Sequence, residues 1–147
     1  MKTTFRASLL MLFAFTTLAL NAQSSKPPTD LSGRHGLTLQ WIGFNQPGRV
    51  DFKKSGKNTY DIEGRQSGRS GCDSCHLLIK GSVVRVDAKT LKFNGRIETL
   101  VDHTNGGAPC VSEGEYVFLN TGTRKYWRLQ HMQRCGSETD YIDIYFK

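Results

Sequence analysis

From Leu91 to Val101 the sequence reads LKFNGRIETLV. Leu91, Phe93, Ile97, Thr99 and Val101 fall on one side of an extended chain, and Lys92, Asn94, Arg96 and Glu98 on the other. A period of two residues is the signature of a half-buried strand; a helical period of 3.6 would scatter these apolar positions around the axis. Asn94-Gly95 has the composition of a hairpin turn, but the alternation keeps its phase through Gly95, so the continuous strand is preferred. This constraint rules out a helix here and demands partner strands on both sides.

Those partners are legible in outline. Leu37, Leu39 and Trp41 alternate with polar neighbours before the turn Asn45-Gln46-Pro47-Gly48. Val50 and Phe52 follow, then the turn Ser55–Asn58, then Tyr60 and Ile62. Residues 64–75, GRQSGRSGCDSC, contain no large apolar side chain and read as a long loop. Leu77, Ile79, Val83, Val84 and Val86 form the next strand, with Gly81 as a bulge or close-packing point. Further strands are expected at 116–119, 126–132 and 141–146. About eight short strands at regular spacing, with no helical period, imply an all-β, antiparallel up-and-down barrel or sandwich.

The N-terminus has another character. Lys2 and Arg6 precede the apolar run Ala7–Leu20, and Leu20-Asn21-Ala22 offers a small-residue cleavage site. This is the pattern of a secretory signal peptide over residues 1–22. The run falls short of the roughly 20 apolar residues that a span requires, and nothing later is long and apolar enough to cross a membrane. Residues 23–36 read as a flexible leader and 37–147 as a single β domain. The expected location is periplasmic or extracellular. Removing Lys2 and Arg6 takes two units from a formal charge of +7. With no dense basic run, the remainder calls for no nucleic-acid partner, although it permits an anionic surface.

The stretch SGCDSCHLLIKG contains Cys72, Cys75 and His76 in the spacing C-x-x-C-H, the attachment pattern of a c-type haem. His35, His103, His131 and Met132 are available as a second axial ligand. Against haem, the motif runs straight into a strand, and the apolar residues a haem would need are already claimed by sheet packing. The total of four cysteines in a small exported chain reads first as two disulfides. Of the three possible pairings, Cys72–Cys75 with Cys110–Cys135 is favoured. The first clips the glycine-rich loop and the second ties the start of one strand to the end of its presumed hairpin partner. No cofactor and no metal are expected; haem c at Cys72, Cys75 and His76 is the alternative.

Two stretches are candidates for recognition. In RKYWRLQHM, residues 124–132, the cations Arg124, Lys125 and Arg128 interleave with Tyr126 and Trp127, a combination suited to anionic or saccharide ligands. In the last strand Tyr141, Asp143 and Tyr145 share one face, opposite Ile142, Ile144 and Phe146. Core packing of the aliphatic face with Tyr, Asp and Tyr toward water is the plainer reading; a tyrosine-lined rim is the functional one. His131 shares its face with Trp127 and Leu129 and reads as a packed histidine. Asp102-His103-Thr104 invites comparison with a hydrolase site, but there is no G-x-S-x-G elbow.

RKYWRLQHM, the following cysteine and the terminal TDYIDIYF, together with LTLQWIGF and HTNGGAPC, resemble a group of small exported bacterial proteins of uncharacterised function. The resemblance implies a class and no activity. By architecture alone the strand pattern is also similar to calycin-type barrels such as lipocalins, although the Trp in QWIGF precedes its glycine instead of following it. The function expected is binding without catalysis: a small ligand held by the barrel, or an envelope or extracellular partner at the basic aromatic face.

Overall fold

A computed structural model describes residues 26–146. The signal peptide expected over residues 1–22 lies outside them.

Eight strands form one closed antiparallel barrel in sequence order: β1 (Gly33–Leu39), β2 (Gly48–Gly56), β3 (Thr59–Arg69), β4 (Cys72–Arg85), β5 (Thr90–Leu100), β6 (Cys110–Leu119), β7 (Tyr126–Leu129) and β8 (Ile142–Tyr145). β8 closes onto β1 through Leu37–Ile144, Thr38–Asp143 and Leu39–Ile142. The barrel therefore replaces the sandwich alternative. Among the described residues the one helical element is a single 3-10 turn, Asn105–Gly107.

The inward faces follow the alternation. Leu37, Val50, Phe52, Ile62, Leu77, Ile79, Leu91, Phe93, Phe118 and Ile144 meet in one buried cluster. These side chains fill the barrel, as eight strands allow. The strand through Gly95 is continuous for a steric reason. Gly81, Gly95 and Gly114 pair across β4, β5 and β6 in one inward row. A Cβ at Gly95 would stand 2.3 Å from the Lys80 carbonyl and 2.8 Å from the Phe93 ring. Gly81 is likewise a close-packing point: its Cβ would stand 2.2 Å from the Asn94 carbonyl. The missing side chains let the wall bend tightly and give Phe93 a floor.

β6 starts six residues before the expected 116, at Cys110, and four further boundaries depart from the expected ones. Residues 64–75 are not a long loop: β3 runs to Arg69, β4 starts at Cys72, and Ser70-Gly71 makes the turn. Gly64 is needed because Val50 lies 2.6 Å from where its Cβ would be. Gln66 is buried with a purpose: its Oε1 accepts from Leu39 N–H at 2.6 Å, and its Nε2 donates to the carbonyls of Gly43 (2.7 Å) and Gln46 (2.9 Å). One inward polar residue thus satisfies the β1–β2 loop backbone.

The second departure is at the leader. β1 begins at Gly33, before the boundary expected at residue 37, and Leu31 and His35 are buried. The His35 ring lies between the Leu31 carbonyl (Nε2, 2.8 Å) and the Tyr145 carbonyl (Nδ1, 2.9 Å). Leu31 N–H donates to Tyr60 Oη, which donates to Asp30. The end of the leader is a plug, held by polar contacts that no hydropathy pattern reveals. Third, β1 stops at Leu39, so Trp41 stands in the following turn, half-buried, and donates to Asp140 at 3.0 Å. Fourth, β7 ends at Leu129 instead of Met132, which leaves His131 exposed with its ring edge against Tyr116.

Candidate binding face

β7 and β8 pair in the register Tyr126–Tyr145, Trp127–Ile144 and Arg128–Asp143. Alternation then sorts the candidates. Tyr126 and Arg128 point outward from β7, and Asp143 and Tyr145 outward from β8. Trp127 points into the barrel, fully buried, so it is a core residue and no part of this face. The loop before β7 is held by Asn120, whose Nδ2 donates to the carbonyls of Arg124 (2.6 Å) and Tyr126 (2.9 Å).

Arg128 organises the face. Its Nε and Nη2 donate to the two carboxylate oxygens of Asp143, both at 2.7 Å. Its guanidinium carbon lies 4.2 Å from the Tyr141 ring centre and 5.1 Å from that of Tyr126. Arg124 approaches the Tyr126 ring at 5.7 Å, and Tyr126 and Tyr145 are 5.3 Å apart. A planar cation, doubly bonded to one carboxylate and flanked by aromatic faces, is held rigidly. The Asp143 carboxylate raises the pKa of Arg128 further, and burial raises that of the Tyr145 phenol. Asp143 is fully buried, which corrects the expectation that Tyr141, Asp143 and Tyr145 all face water. Arg128 explains the difference, because a buried carboxylate requires a partner. Arg124 and Lys125 remain exposed at the rim.

A second polar network lies where β5 ends and β6 begins. The Arg134 side chain is fully buried; it donates to Asp140 (2.8 Å), Thr99 Oγ1 (2.9 Å), Ser112 Oγ (3.2 Å) and the Ile97 carbonyl (3.4 Å). Neither Arg134 nor Asp140 stands out in the sequence. No local pattern separates a buried arginine from a solvated one.

Cys72–Cys75 and Cys110–Cys135 are both disulfides, with S–S distances of 1.97 and 2.00 Å. This argues against the haem c alternative. The two sulfurs that would bond a porphyrin bond each other, and His76 is committed on the outer wall to Glu98 (3.2 Å) and the Ser74 carbonyl (3.0 Å). A carboxylate oxygen of Asp102 lies within 4.8 Å of both sulfurs, but a disulfide offers no thiolate to a metal. His103 bonds Asp102 at 2.7 Å and meets Trp41 edge-on. The Cys110–Cys135 bridge spans 25 residues and contributes about 3.5 kcal/mol in the chain-entropy model. Two disulfides belong to an oxidising, exported setting, and no helix among the described residues is long and apolar enough to cross a membrane.

The molecule is thus a small antiparallel β-barrel stapled by two disulfides, with its interior given to packing and a cation–tyrosine cluster on its outer wall. The chain belongs to the PM1083 family, whose model matches residues 19–146. It is 36% identical over 138 residues to the uncharacterized protein PM1083 of Pasteurella multocida (strain Pm70), covering 88% of this chain and 87% of that one. No solved structure matches. The resemblance to uncharacterised bacterial proteins holds, and it brings no activity with it.

Proposed function

We propose that this protein is an exported, non-enzymatic binding domain of the periplasm or the extracellular space, and that it binds an anionic saccharide through the outer face of β7 and β8. The observation that carries this reading is the gathering of Tyr126, Tyr141 and Tyr145 around the Arg128–Asp143 pair. Tyrosine rings offer flat apolar surface with a polar edge, the combination that suits a sugar ring. Held this firmly, they lose little freedom on binding. Arg124 and Lys125 at the rim supply charge for an acidic substituent. The close packing of the barrel interior favours this outer face over a ligand held inside.

The test is binding of dextran sulfate, measured by calorimetry, to the protein and to its Tyr126→Ala and Arg124→Gln/Lys125→Gln variants. Each variant is expected to weaken binding about tenfold while remaining folded at the titration temperature. Equal affinity for all three proteins would remove the proposed face.

A further inference from the structure

The outer wall of the barrel carries charges in rows across the strands. In one row Arg34, Asp51, Glu63, Lys80, Arg96 and Glu113 are register partners from β1 to β6. Two like-charge neighbours occur there, Asp51–Glu63 and Lys80–Arg96. Each is compensated within the row: Arg34 bonds Asp51 (3.4 Å), Lys80 bonds Glu63 (3.3 Å) and Arg96 bonds Glu113 (3.4 Å). The adjacent row breaks this pattern. Arg49 on β2 is the register partner of Arg65 on β3, and the row continues to Gly36 on one side and Leu78 on the other. Neither neighbour carries charge. Both arginines are exposed, and neither makes an ion pair among the described residues. Like charges directly opposite each other destabilise a sheet.

The place of this pair is as informative as its charge. Tyr145 lies over Gly36, 3.4 Å from where that residue's Cβ would be. The absence of a side chain at Gly36 lets Tyr145 lie over β1, on the residue whose register partner is Arg49. Beyond it, Arg49 and Arg65 line a concavity of about 500 Å3 together with Asp51, Glu63, Gly64 and Leu78, the two carboxylates there being already paired with Arg34 and Lys80. Neighbouring strands stand about 4.8 Å apart. From backbone positions this close, two flexible exposed arginine side chains can both reach one oxyanion.

We propose that Arg49 and Arg65 form an anion subsite, continuous with the tyrosine face across Gly36, that takes an acidic substituent of a polysaccharide chain. The proposal rests on the saccharide-binding reading above and adds to it the requirement for a charged, repeating ligand. A chain lying across the strands would stack on the tyrosines and present an oxyanion at the exposed arginine pair, a charge-assisted contact that salt weakens.

Dextran sulfate and unsulfated dextran of equal length are titrated into the protein and into Arg49→Gln/Arg65→Gln at low and high salt, with each single variant as a control for folding. The expected result is a loss of about tenfold or more for dextran sulfate in the double variant, a weaker dependence on salt, and unchanged affinity for unsulfated dextran. Unchanged affinity for dextran sulfate in the double variant, with Tyr126→Ala still weakened, overturns the subsite and leaves the tyrosine face standing. Loss in the arginine variant with no effect of Tyr126→Ala supports the subsite and removes the face. If neither polymer binds the unaltered protein, both readings fall.

Discussion

The two sides of the barrel are built on different principles. From β3 to β6 the strands are long and pair almost end to end, from Thr90–Leu119 to Thr99–Cys110 between β5 and β6. From β6 through β7 and β8 to β1 the pairing is brief: Phe118–Leu129 and Leu119–Arg128 are the whole register between β6 and β7. The long wall is held by backbone ladders between neighbours in sequence. The short wall is held by side chains that bridge separate segments: Arg128 to Asp143, Arg134 (ion-paired locally with Asp140) to Thr99 and Ser112, and Cys110 to Cys135. Where hydrogen-bonded ladder is scarce, buried ion pairs and a covalent bridge substitute for it. The candidate face sits on that short wall, where Arg128 both locks the strands and orders the tyrosines.

The largest expected effect is at Arg134 and Asp140. Asp140→Ala leaves a buried guanidinium without its carboxylate and is expected to cost ~3–5 kcal/mol, read from the urea midpoint. Replacing both by apolar residues of similar size should cost less, since no charge is then stranded. If Asp140→Ala were neutral, the short wall would not depend on this pair.

A smaller cost is expected on the long wall. Gly95→Ala drives a methyl group toward the Lys80 carbonyl and the Phe93 ring, and overpacking of this kind costs ~1–3 kcal/mol. Thermal unfolding measures it. A stabilised variant would mean that the glycine row serves no close approach.

The smallest effect is at the plug. The backbone N–H of Ser32, followed by its hydroxyl, lowers the Asp30 pKa from 3.8 to about 2. A lowered carboxylate stabilises the fold fully above its unfolded value and loses that contribution as pH falls through the folded one. The stability difference between the protein and Asp30→Asn should therefore be constant above pH ~4 and shrink toward pH ~2. Because Asp30 is exposed, the difference is small and reduced by salt. A difference that grows on acidification would contradict these hydrogen bonds.

Much of this fold was legible in advance, and for a specific reason. Leu91, Phe93, Ile97 and Thr99 declare a strand through their period, which is a property of neighbours in the chain. The turns after Phe44 and after Ser55 announce themselves by their residue types. The spacing of Cys110 and Cys135 suggested a long-range bridge once Cys72 and Cys75 were read as a local one. What failed to show was polarity with a tertiary purpose. By local sequence Gln66 reads as loop, His35 as leader and Asp143 as surface. Each is buried because its partner comes from a segment 15 or more residues away: Leu39 for Gln66, Tyr145 for His35, Arg128 for Asp143.

The candidate face shows the same division. Alternation alone already set Tyr126 and Arg128 on one side of their strand and Trp127 on the other, and it determined the strand identity, the antiparallel order and the composition of the two faces. Only the tertiary structure decided the rest: the pairing of β7 with β8 brought Tyr145 and Tyr141 against Arg128, the β2–β3 register set Arg49 beside Arg65, and the packing of the segment after β7 onto β5 and β6 buried Arg134 against Thr99 and Ser112. A strand's face depends on a period of two along one chain. The meeting of charges across a wall depends on the register between strands, which is decided by how all eight inward faces pack together.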